Sequence, residues 1–404
     1  MARRCAQPIN AVNLDTVNLV PRRSSRMTTA EAAARLGVKA ETLYAYVSRG
    51  LLTSERGTGG RASTFDAAEV EALVATRGAT RRPTGVAETI TTRLTLLADD
   101  EVYYRGLRAT DLARTETPER VAALLWLGDR DAGIDEPDLG GVVEPVREIV
   151  AHLPGRPRPT DRLRVAVATL AALDPWRFDL EPAAVVATAM RCWRGMVGAL
   201  GEGGLWPALA DDPTTPEPPE VLRTALVLLA DHGLAASTMA ARVAASARAH
   251  PYAVVSAGLG ALDGPVHGTA STAAHRFLGE ALRDPEAAVA ERLRAGERLP
   301  GFGHSIYRER DPRAAVLLAL IPGSEEAAVV ERLAAAVAGR PGVFPNVDLA
   351  MAAVQRVYGL RAEAGEAIFA VARTVGWIAH ALEQYADPGL RFRVEGAYVG
   401  LRPS

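Results

Sequence analysis

Hydrophobic and small residues recur at helical spacing along most of the chain. The segments "VLRTALVLLADHGLAASTMAARVAASARA", "EEAAVVERLAAAVAG" and "VDLAMAAVQRVYGLRAEAGEAIFAVARTVGWIAHALEQYA" place leucine, valine and alanine three and four positions apart. Alternating β-branched runs are scarce and aromatics make up only 5%, so the pattern predicts a mainly all-α body. Its alanine density suits close helix–helix approach. No run reaches the ~18 apolar residues of a membrane span. A different rhythm comes first. Thr28 with Glu31 three positions on is a helix-start signal, and the alanine-rich helix that follows ends at Gly37. "KAETLYAYVSRGLL" predicts a second short helix with Leu43, Tyr46 and Val47 on one side. "TSERGTGGRASTF" predicts a glycine-tipped hairpin, and "DAAEVEALVATR" a third helix. Two short helices around a glycine turn, then a wing, predict a small winged helix-turn-helix over residues 27–77. Residues 1–26 have neither period and read as a flexible tail. Residues 78–88 read as a linker, and 89–404 as the helical body.

Length and charge sharpen this division. At 404 residues the chain exceeds one compact domain. Residues 1–83 hold 12 arginines and Lys39 against seven acids, a net +6, which leaves −8 for the rest within an overall −2. A basic N-terminal module on an acidic body points to different partners for the two. Lys39 is the only lysine, so Schiff-base chemistry and a P-loop lysine are excluded from the body. Cys5 and Cys192 give neither a disulfide framework nor zinc-ligand spacing. The first 25 residues lack the apolar stretch of a secretory signal. The expectation is a cytoplasmic protein with no metal.

Three of the seven histidines stand in unusual surroundings: His232 in "ADHGLAAST", His267 in the Gly-Pro turn "GALDGPVHGTAS", and His304 in "LPGFGHSIYRERDPRAA". No His/Cys cluster accompanies them. The Gly-Phe-Gly before His304 is no dinucleotide fingerprint, because no strand and no second glycine pair fit.

The N-terminal pattern "AARLGV…TLYAYVSRGLL…R…F…EVEAL" resembles the winged helix-turn-helix of MerR-type regulators and excisionases. That resemblance implies DNA contacts from Tyr44 and Arg49 on or near the recognition helix and from Arg56 and Arg61 in the wing. The body carries "YYRGLRATDLA", "DHGLAASTMAARVAAS", "GALDGPVHGTAS", "GFGHSIYRERDPRA", "FPNVD" and "GWIAHALEQY" in that order. It thereby resembles citrate synthase, and the resemblance supplies the expectations that follow. The body folds as a large helical domain with a smaller one at about 270–347, and it forms a homodimer. The reaction condenses acetyl-CoA with oxaloacetate and hydrolyses the thioester. The acyl-CoA is a co-substrate, and no cofactor is bound permanently. Asp348 removes the methyl proton, His267 donates to the thioester oxygen, and His304 polarises the ketone. His232, Arg313 and Arg393 hold the carboxylates. Gly301, Gly303, Arg308 and Asn346 meet CoA. Arg310 reads as a solvated charge. A carbon acid is weak, so base and oxyanion stabiliser must act together, which is why these residue types are needed.

The chain also departs from the family pattern. His-Glu-Leu-Asn-Ala-Ser becomes His232-Gly-Leu-Ala-Ala-Ser, and His-Gly-Gly-Ala-Asn-Glu becomes "HGTAST", with Thr269, Ser271 and Thr272. The final Arg-Pro-Arg becomes "RFRVEGAYVG", in which Arg393 takes the first arginine's place. These changes touch carboxylate binding and leave the three catalytic residues intact. Two alternatives follow. One is a 2-methylcitrate synthase using propionyl-CoA. The other is a non-catalytic sensor of CoA or a dicarboxylate that regulates DNA binding. The intact base favours an enzyme.

Overall fold

The computed structural model describes residues 26–48, 51–56, 63–67, 69–70, 73, 90–218, 220–265, 267–387 and 392. The chain divides into two compact units, Met1–Thr91 and Thr92–Ser404.

In the first unit, Thr28 and Glu31 form a reciprocal capping box that starts the helix Thr29–Leu36. Gly37 ends it in the left-handed conformation at φ 64°. A second helix spans Ala40–Ser48. The wing holds β2 (Ser54–Arg56) and β3 (Ser63–Asp66). A further strand, β1 (Arg26–Thr28), pairs antiparallel with the other edge of β3, giving the order β1-β3-β2. Arg26, expected in the tail, therefore belongs to the sheet. Its guanidinium donates to Thr64 and pairs with Glu55 at 3.0 Å. Ala32, Leu36, Leu43, Tyr46, Leu52, Phe65 and Val70 form a small core of this unit's own. Most of the third-helix segment lies outside the described residues.

The second unit opens with the hairpin β4 (Thr95–Ala98) and β5 (Glu101–Tyr104), followed by the short strand β6 (Leu107–Arg108). The β4–β5 turn is Asp99-Asp100, both at φ 53°. The helices that follow pack around Ala364–Ala386, which is buried along most of its length. Trp126 and Trp193 close over it and donate their indole N–H groups to Val375 O (2.8 Å) and Val371 O (3.0 Å). Among the described residues no helix is long and apolar enough to cross a membrane.

Two glycines set the contact distances. Gly258, in the helix Pro251–Leu262, lies against Trp377, whose ring would sit 2.5 Å from an added Cβ. Gly376 lets the central helix approach the backbone at Ala230, where an added Cβ would meet the carbonyl at 2.5 Å. Gly258→Ala should therefore destabilise the body by about 1–3 kcal/mol through overpacking. Calorimetric melting of the purified variant checks this, and an unchanged melting temperature would contradict the packing argument.

Candidate active site

Each predicted histidine sits in a connection between helices. His232 follows the helix Val221–Leu228 in a turn completed by Gly233 at φ 62°. His267 lies between Pro251–Leu262 and Ala270–Ala281, in a turn closed by its own N–H on Gly264 O (3.0 Å) and by Gly268 N on Leu262 O (2.9 Å). His304 follows the Gly-Phe-Gly segment. Gly301 and Gly303 both have positive φ, 78° and 72°. The segment is zipped to residues 344–346 through Gly303 N to Phe344 O (2.8 Å) and Asn346 N to Gly301 O (2.9 Å). Asn346 then caps the helix Val347–Val357, accepting from Asp348 N (2.9 Å) and Leu349 N (3.3 Å). Asp348 thus stands on the first turn of that helix, and His304 leaves the strand-like segment paired beside it.

These turns border one cavity of about 1090 Å³. His232, His267, His304, Asp348, Arg313 and Arg373 share its wall. His232 and His304 stand edge to face, 5.1 Å apart. Asp348 is half-buried on the cavity wall. Burial pushes its carboxyl up to about 6; Arg313 pulls against this shift and Asp311 adds to it. The histidines move the other way. Burial, then Arg313, lowers His304 to about 4, and burial, then Arg373, lowers His267 to about 4. His232 falls well below its ordinary value, first by burial and then by Arg313 and Arg373.

Hydrogen bonds orient the rings. His304 Nδ1 faces the backbone N–H groups of Ile306 (3.0 Å) and Tyr307 (3.4 Å), so it accepts and the ring proton sits on Nε2. His267 Nε2 pairs with Ser237 Oγ at 2.8 Å, and His232 Nε2 with the Tyr307 hydroxyl at 2.8 Å. Arg313 is buried and forked onto Asp311 through Nε (3.0 Å) and Nη2 (2.9 Å). Asp311 also accepts from Val347 N (2.9 Å), which joins the arginine to the helix bearing Asp348.

Other expected positions differ. Gly301 serves packing: an added Cβ would lie 2.6 Å from that of Leu349. Asn346 is occupied as a cap, with its side-chain amide on Gly303 O (2.9 Å), and neither Gly301 nor Asn346 is part of the cavity wall. Gly303 does line it. Arg308 is exposed and off the wall, with its backbone N–H on Asp100 Oδ1 (2.8 Å); Arg298 and Arg340 border the cavity instead. Arg310 pairs with Glu101 at 2.8 Å on the surface. In the first unit Tyr44 is exposed and Arg56 lies in β2. Arg49, Arg61 and Arg393 lie outside the described residues.

Sequence reasoning missed Arg373. It is 1% exposed and lines the cavity. Its Nε donates to Leu229 O at 2.9 Å, and its buried Nη2 finds no partner among the described residues. The available signal was an arginine inside the apolar run "IFAVARTVGWIAHAL". A charge there must be paired or used.

A helical body whose turns converge two neutral imidazoles, a high-pKa carboxylate and two buried guanidiniums on one cavity has the parts for enolising a substrate anchored by its carboxylates. The family model described as "Citrate synthase, C-terminal domain" matches residues 82–394, and a helix-turn-helix domain model matches residues 26–78. The chain belongs to the citrate synthase family. It is 32% identical over 351 residues to citrate synthase from Haloferax volcanii, covering 74% of this chain and 90% of that one. It is 31% identical over 346 residues to citrate synthase from Acidithiobacillus ferridurans, covering 74% and 89%. It is 29% identical over 340 residues to 2-methylcitrate synthase from Mycobacterium tuberculosis, covering 74% and 85%. Citrate synthase from Thermotoga maritima has a similar solved structure, with TM-score 0.61, 25% identity, and 79% and 95% of the two chains covered.

The histidine shifts have a direct readout. Ring spectra across pH should show His267 and His304 titrating near 4. Midpoints near the ordinary 6.5 would contradict the buried site. The unfolded chain takes up protons near 6.5 that the folded rings refuse until about 4. These two histidines therefore reduce stability as pH falls through that window.

Proposed function

We propose that the protein condenses an acyl-CoA, with acetyl-CoA as the first choice, with oxaloacetate and then hydrolyses the thioester to release CoA. The observation that carries this reading is a half-buried Asp348 raised to about 6 in the same cavity as two histidines lowered to about 4. A carboxylate with a raised pKa is a stronger base, and a neutral imidazole donates a hydrogen bond without first shedding a charge. Asp348 takes a proton from the carbon next to the thioester. His267 donates to the thioester oxygen through Nδ1 while the Ser237 hydroxyl donates to Nε2. The enol carbon attacks the ketone of oxaloacetate, polarised by the Nε2–H of His304, and water then cleaves the thioester. His232, Arg313 and Arg373 hold the carboxylates, with Arg393 as a further candidate. Arg298 and Arg340 meet the CoA phosphates. Closure of residues at about 270–347 over the cavity keeps the enol from water.

The assay is thiol release with acetyl-CoA or propionyl-CoA, with and without oxaloacetate. Oxaloacetate-dependent release is expected, and the faster donor separates a citrate from a 2-methylcitrate synthase. Asp348→Ala should lose about 10²–10⁴ in kcat. The wild-type rate should rise with pH through an apparent pKa near 6, since the base acts only when ionised. No release from folded protein would favour the sensor reading instead.

For the N-terminal module we propose DNA binding by a cytoplasmic homodimer, which would present two modules to two half-sites. The support is the helix-turn-helix match and the exposed Tyr44. Gel shifts at several salt concentrations test it. Arg56→Ala should weaken binding and lower the salt slope by about one. A slope unchanged in the variant would remove Arg56 from the interface.

A further inference from the structure

The residue just before His232 never reaches the cavity. Asp231 is 0% exposed and absent from the cavity wall, yet its carboxylate gathers three donors. The Thr95 hydroxyl donates to Oδ2 at 2.5 Å, Gly233 N at 3.1 Å, and His380 Nε2 stands at 3.4 Å. The His380 proton can be placed from its other side. His380 Nδ1 faces Arg242 Nη1 at 2.9 Å, and a guanidinium only donates, so Nδ1 accepts and the proton lies on Nε2, toward Asp231. Arg242 is held in turn by Glu383 at 2.9 Å.

These contacts belong to a larger clamp. Arg373, Gly376 and His380 lie at i, i+3 and i+7 on one face of the central helix. Arg373 Nε donates to Leu229 O (2.9 Å), Gly376 N to Ala230 O (3.0 Å), and His380 meets the Asp231 carboxylate. Three successive residues of the turn are thus read by three positions along one helix face. Gly376 has no side chain because Ala230 and Asp231 occupy that space.

We propose that Asp231 is a positioning residue for the dicarboxylate half of the site. Its carboxylate holds Gly233 N–H in the left-handed turn that aims His232 into the cavity. Through His380 it registers the same turn against the helix that carries Arg373. The proposal rests on the acyl-CoA and oxaloacetate reading for its kinetic consequence, but not for its structural one. All three donors meet the one oxygen Oδ2, and Oδ1 has no partner among the described residues, so Asn could keep every bond with its own oxygen. Alanine removes the acceptor and leaves the Thr95 hydroxyl and the Gly233 and His380 N–H groups without it.

The test compares wild type with Asp231→Ala. The KM for oxaloacetate should rise about tenfold, the worth of a charge-assisted hydrogen bond, while the KM for acyl-CoA stays within about twofold. Equal changes in both, or in neither, would overturn the proposal. A second readout needs no turnover. In ¹⁵N-histidine spectra, with the His232 signal identified by its loss in His232→Gln, Asp231→Ala should displace His232 and leave His267 and His304 in place. If the wild type releases no thiol, the catalytic reading fails by itself and these spectra still decide the positioning role. If Asp231→Ala does not fold, Thr95→Val removes one of the three donors and should shift His232 in the same direction by less. An unmoved His232 signal in the folded variant sinks the idea.

Discussion

The helix Ala364–Ala386 is buried around most of its circumference, yet it carries Arg373, His380 and Gln384 below 2% exposure. Burying a guanidinium costs several kcal/mol unless partners compensate. The body is arranged to supply them. The turn after Val221–Leu228 brings carbonyls to Arg373 and Gly376 and a carboxylate to His380. Two tryptophans close the opposite side by donating to carbonyls of the same helix. Arg373 Nη2, without a partner among the described residues, belongs to a side chain on the cavity wall. A buried donor without a partner is a cost to the fold and an opportunity for an anionic ligand.

The same burial sets the electrostatics of the cavity. Removing water disfavours the charged form of every group, so carboxyls rise and imidazoles fall. Asp348 and the three histidines move as this requires, and Arg313 pushes the same way on His232 and His304. Arg313 itself stays charged because Asp311 answers it with a forked ion pair. Base and donors are thus separated in pKa by one low-dielectric enclosure, without a metal in the argument.

Much of this was legible in the sequence. The capping box at Thr28 and Glu31, the left-handed stop at Gly37 and the all-helical body follow from local rules that the structure obeys. His232, His267 and His304 stood out by their glycine- and proline-rich surroundings, Asp348 and Arg313 through the family resemblance, and all five border the cavity. Gly301 and Asn346, which the family resemblance assigns to CoA, lie off the cavity wall, one packing on Leu349 and the other capping the helix that holds Asp348. The sequence likewise does not say that the backbone of Arg308, also assigned to CoA, is held by Asp100, some two hundred positions away.

The sequence by itself determined the two-part organisation, the helices and their ends, and the chemical types available for proton transfer and anion binding. Each of these depends on residues within a turn or two of one another. Only the tertiary structure decided which groups meet. Arg373 reaches Leu229, His380 reaches Asp231, and Ser237 reaches His267 across separations of 144, 149 and 30 positions. Those pairings come from packing helices around a buried axis, and packing depends on the shape of the whole core rather than on any local pattern.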